Sequence, residues 1–211
     1  MYEKVSDRAY NVIIGLILLY GFVINVVLCM VKPAFIMNAN RTGLVIGYLV
    51  LAIIGCCMSH FSDNPIISFI GYNLLVVPMG AVLCISLDSY YTQTIISACM
   101  TTAIITIGLI AISVAAPQLF LSMRYILFFC LMASIVVECI CIFVTGGTPR
   151  IIDFVIAVVF CGYIGYDWTK AQTKSKTVDN AVDSAVDLYL DIINLFIRVL
   201  SITSSKSSKS K

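Results

Sequence analysis

The chain has 211 residues, of which 61% are hydrophobic and only 11% charged, and its formal net charge is +2. An ordinary soluble domain carries about 25% charged residues, so the composition argues against a soluble protein and for one embedded in lipid. The basic residues are scattered without an arginine cluster, which argues against nucleic acid as a partner.

Apolar runs fall at 11–31, 43–61, 66–87, 94–115, 124–145 and 150–166. A membrane span needs about 20 such residues, within a range of about 17–25, so the sequence predicts six spans from these runs. The first lacks a small-residue cleavage site and reads as a retained helix rather than a signal peptide. Lys32-Pro33, Asn64-Pro65, Ala116-Pro117 and the stretch from Gly146 to Arg150 punctuate the runs. Pro78 lies inside the third run and is expected to kink it. The nine cysteines all sit within apolar runs, and none forms a C-x-x-C pair with a histidine partner; they read as packing residues. The loops leave no room for a soluble domain. A single transmembrane domain over 1–200 is expected, with a polar, disordered tail over 201–211.

Charged groups inside the runs carry more information. An ionised group at a helix centre costs roughly 2.5–3.5 kcal/mol. Glu138 lies mid-run in LMASIVVECICIF and is therefore paired, protonated or turned to a polar cavity. Asp153 lies near the start of the sixth run, where water can solvate it, and Asp167 closes that run. The stretch AVDSAVDLYLDIINLFIRVL, 181–200, sets Asp183, Asp187 and Asp191 four residues apart, with Asn194 and Arg198 continuing the stripe. From 183 to 198 a helix rises about 22 Å. A surface amphipathic helix would carry lysine and arginine on its polar face, whereas this one is acidic. The sequence therefore predicts a seventh span shielded by the other six. Asp183, Asp187, Glu138 and Asn194 are the candidate residues of an ion path, with Asp183 and Asp187 near the helix start, where water can reach them.

Two segments resemble a known family. VDLYLDIINLFIRVL, 186–200, is similar to the last helix of the Bax inhibitor family, the transmembrane Bax-inhibitor-motif proteins. FCGYIGYDWTKAQ, 160–172, resembles that family's sixth-helix ending. The resemblance implies an all-α integral membrane protein of seven transmembrane helices, six enclosing a central acidic seventh. It further implies a pH-sensitive calcium leak in which Asp167 and Asp191 form a carboxyl pair that senses protons and meets calcium transiently. Two departures stand out. Trp168-Thr169 follows Asp167 where the family has Thr-Gln, and CCMSHFSDN occupies the place of a second-helix arginine found in bacterial members. His60, in that stretch, is either an interfacial residue or a titratable stand-in for the arginine. His60 and Arg198 are the candidate partners of the pair.

Two close carboxyls in a low-dielectric site cannot both ionise cheaply, so they titrate as a unit. Sharing a proton, they would bond the sixth helix to the seventh. Ionised, they would separate unless a cation bridged them, and calcium favours several oxygen ligands. No tightly bound cofactor is expected, and calcium is the permeant ion. The same acids would also serve a proton- or cation-coupled secondary transporter, the alternative reading. An enzyme is not expected, because the only histidine, His60, sits at a helix end with no nucleophile or metal constellation. The expected partners are the lipid bilayer, calcium and protons, with the chain a monomer. The expected location is the inner membrane if the source is bacterial, to which the short loops point, or an endoplasmic reticulum-type membrane if eukaryotic.

Overall fold

The computed structural model describes residues 4–146 and 148–204. Among them the chain forms nine helices: α1 (Asp7–Val31), α2 (Ala34–Met37), α3 (Arg41–Phe61), α4 (Pro65–Leu87), α5 (Thr92–Ala115), α6 (Pro117–Ser122), α7 (Arg124–Thr145), α8 (Arg150–Thr173) and α9 (Val178–Thr203). No strand occurs among the described residues, and the only extended pairing is an isolated antiparallel bridge between Lys4 and Thr177. Six helices, α1, α3, α4, α5, α7 and α8, are long and apolar enough to cross a membrane. They leave Leu16, Ile53, Ile104, Ile107 and Phe143 more than half exposed, a surface that lipid rather than water can cover. The protein is an all-helical membrane protein.

Local sequence sets the helix limits. Ser6, Asn40 and Asn64 accept hydrogen bonds from Ala9, Thr42 and Ile66 backbone N–H groups, capping α1, α3 and α4. Lys32, at φ 44°, and Gly146, at φ 72°, end α1 and α7 in the left-handed conformation. Two short helices, α2 and α6, lie where the sequence suggested only breaks. Pro33 precedes α2 and Pro117 opens α6, because a proline that cannot continue one helix is preorganised to start the next. α4 runs through Pro78 as one element. α8 continues seven residues past the apolar run, to Thr173, since helical hydrogen bonding does not stop where hydropathy does. α9 reaches Thr203, so the expected tail loses its first three residues to the helix, and 205–211 lie outside the described residues.

The chain divides into two compact units, Met1–Tyr90 with Lys174–Tyr189, and Tyr91–Thr173 with Leu190–Lys211. In the first, α4 packs against α3, α1 and α2. α3 and α4 meet through Gly55 and Gly71: a Cβ added at Gly71 would sit 2.5 Å from the Gly55 carbonyl oxygen, so small residues let the backbones touch. Tyr72 donates to the Ile17 carbonyl at 2.9 Å and meets Tyr189 edge-on at 5.6 Å. In the second unit, α8 packs against α5, α6 and α7. Leu127 occupies the space at Gly162, and the Phe120 ring that at Gly165.

Candidate functional site

The first half of α9 carries Asp179, Asp183 and Asp187 along one face, and α3 and α4 supply a partner for each. Ser68 donates to Asp179 at 2.7 Å and Ser59 to Asp183 at 2.5 Å. His60 Nε2 lies 3.0 Å from Asp187 Oδ1. Ser59, Ser68, Asp179 and Asp183 are buried. Asp183, expected to be reached by water at the helix start, is only 6% exposed, because the hydroxyl from α3 takes water's place. Ser68 and Asp179 were not singled out from the sequence. The available signal was that both are polar residues on helix faces that turn inward.

The start of α9 is strapped down. The Val5 N–H donates to the Lys176 carbonyl at 2.9 Å, and the Lys176 ammonium lies 4.4 Å from the Tyr10 ring centre. The Tyr10 hydroxyl lies 3.0 Å from Ser184 Oγ. Burial draws the Lys176 pKa below the usual lysine range, and Asp7 works against that. Deeper along α9, the Asn25 amide donates to the Tyr189 hydroxyl at 2.6 Å.

In the second unit, Arg198 gathers two acids. Its Nη1 and Nη2 donate to Glu138 at 2.7 and 2.8 Å, and Nη1 also donates to Asp153 at 2.8 Å. Ser201 donates to the other Asp153 oxygen at 2.6 Å. Glu138 is thus paired, one of the three states its position demanded. Asp153 is not solvated as expected. It is 3% exposed, held by charge-assisted bonds that replace water. Asn194 bonds back to the Leu190 carbonyl on its own helix.

Asp167, on α8, and Asp191, on the second half of α9, are both buried. Both lie within electrostatic reach of the Tyr163 phenol on α8. Lys170, one turn beyond Asp167, has its ammonium 3.5 Å from that carboxylate. Among the described residues, no three His, Cys, Asp or Glu side chains assemble into a group that could hold a metal ion.

The fold and the acidic last helix define a multi-helix membrane protein with carboxylates held in its interior. The chain belongs to the Bax inhibitor family: residues 3–208 match the family described as Inhibitor of apoptosis-promoting Bax1. No curated protein matches it.

Proposed function

We propose that the protein is a pH-sensitive calcium leak in which Asp167 and Asp191 form the proton sensor. The observation that carries this reading is that two buried carboxyls, on α8 and α9, share the surroundings of one phenol. In such a place, ionising both at once is expensive, so the pair titrates as a unit and can hold one proton between the two groups. With that proton shared, α8 and α9 are bonded and the path is closed. Without it, the two charges repel and a calcium ion can pass between oxygen ligands that bind weakly enough to release it. In this reading α9 serves as the seventh span. The burial of Ala181, Ala185, Leu188 and Leu195 together with its acids supports that role.

The test is calcium entry into vesicles containing the purified protein, measured from about pH 6 to 8. Flux should rise with pH in the wild type. Asp167→Asn and Asp191→Asn should each flatten the profile, because an amide cannot exchange the proton. An unchanged profile in both variants would remove the pair as sensor. A wild type that passes no calcium at any pH would reject the leak and favour a coupled transporter using the same acids.

A further inference from the structure

The His60–Asp187 contact joins the last turn of α3 to α9. His60 is the only histidine in the chain, and its Nε2 lies 3.0 Å from the Asp187 carboxylate. Imidazole is the side chain whose ordinary pKa, about 6.5, falls in the range over which cells vary their pH. The side chain of His60 is 37% exposed, so protons reach it, while that of Asp187 is 15% exposed. The contact is therefore wet enough to titrate and dry enough for the charge change to matter.

Its neighbours are of both signs. Asp183, from α9, and Lys174, from the segment before α9, both act on the imidazole. Tyr10, from α1, and Cys56, from α3 itself, lie within electrostatic reach of Asp187. Asp179, one turn before Asp183, is tied to Ser68 of α4. Asp183 is likewise tied to Ser59 of α3. Those two acids have neutral partners that cannot change charge near neutral pH. Of the three acids on this half of α9, Asp187 is the one in hydrogen-bond contact with a group that can.

We propose that His60 and Asp187 form a second proton-binding site, additional to Asp167 and Asp191, that clamps the end of α3 to α9 when the imidazole is protonated. Protonated, the pair is a charge-assisted bond between imidazolium and carboxylate. Deprotonated, it is a neutral N–H donating to a carboxylate, a weaker contact that has lost the attraction between opposite charges. The lost proton also leaves the Asp179–Asp183–Asp187 face one charge more negative, which favours a cation beside it. Acid thus tightens this joint and base loosens it, the same sense as the carboxyl pair.

A single histidine makes the site directly readable. With 15N-labelled histidine, the protein in nanodiscs gives one imidazole signal to follow against pH. Asp187→Asn should move its midpoint to lower pH by about one unit, the usual effect of removing an adjacent opposite charge. Spin labels on α3 and α9 should report a shorter or narrower distance below that midpoint in the wild type, and no pH response in His60→Gln. In the flux assay, His60→Gln should remove the part of the pH response that follows the imidazole while the part lost in Asp167→Asn remains. An imidazole midpoint unmoved in Asp187→Asn, or a pH-dependent distance surviving in His60→Gln, would overturn the proposal. The nuclear resonance and distance measurements need no calcium flux, so they decide this site even if the leak reading fails.

Discussion

Arg198 shows how a single residue can hold two elements. Its guanidinium grips Glu138 with two parallel bonds and reaches Asp153 with a third. Removing one partner of a buried ionic group leaves the others uncompensated, at about 3–5 kcal/mol. Arg198→Met should therefore lower the melting temperature in detergent sharply. Arg198→Lys should recover only part of the loss, because an ammonium lacks the planar fork. Equal melting in Arg198→Lys and the wild type would show that charge alone suffices. Thr102 and Thr106 make the opposite case. Both are buried on α5, and neither hydroxyl has a hydrogen-bond partner among the described residues. A buried, unpartnered hydroxyl contributes nothing that a methyl group does not. Thr102→Val and Thr106→Val should leave melting unchanged or raise stability by up to about 1 kcal/mol, and a clear loss in either would reveal a partner.

At the scale of elements, the contact between α3 and α4 rests on two glycines. A Cβ at Gly55 would meet the Gly71 carbonyl, while one at Gly47, on the same helix, meets nothing within 4 Å. Gly55→Ala should thus destabilise by about 1–3 kcal/mol through overpacking. Gly47→Ala should be neutral or stabilising, since alanine is the better helix former by about 1 kcal/mol. Thermal melts of the two variants side by side test the contrast. The long helices were legible in the sequence because each carries a long apolar run set off by short polar, proline or glycine breaks, signals that need no tertiary information. α9 was legible through its four-residue acidic period. α2 and α6 were not, because one or two turns leave too short a pattern to separate from a loop. The pairings of the acids were also hidden. Glu138 and Arg198 lie 60 positions apart, and Ser59 and Asp183 lie 124 apart. No local spacing encodes contacts that long, and a serine in an apolar run looks the same whether it faces lipid or a carboxylate.

For the whole molecule, the proposed carboxyl pair and the proposed imidazole joint respond to acid in the same direction. A protein with both should show a steeper loss of calcium flux between about pH 8 and 6 than one titrating group allows. Combining His60→Gln with Asp167→Asn should abolish the pH dependence that each change alone only reduces. A double variant that keeps half the wild-type response would mean a third titrating group. The family and the membrane-embedded helical class were readable from 160–172 and 186–200 with the overall hydropathy. The proposed seventh span was read from the acidic stripe of 181–200 and the family resemblance, whereas length and apolar composition mark six helices as spans.

The partners of α9 are also separated from it in time. Ser59, His60 and Ser68 leave the ribosome more than a hundred residues before the acids they serve. An aspartate entering a bilayer alone faces about 2.5–3.5 kcal/mol at its centre, and α9 brings Asp179, Asp183, Asp187 and Asp191. As the seventh span proposed above, the last helix would be a late arrival that depends on a polar reception already built by the early ones. Biogenesis of this protein becomes an ordered process: the acidic helix has a berth only after α3 and α4 are in place, and the Lys4–Thr177 bridge can close only once the chain has been made far enough for its first residues to meet that late segment.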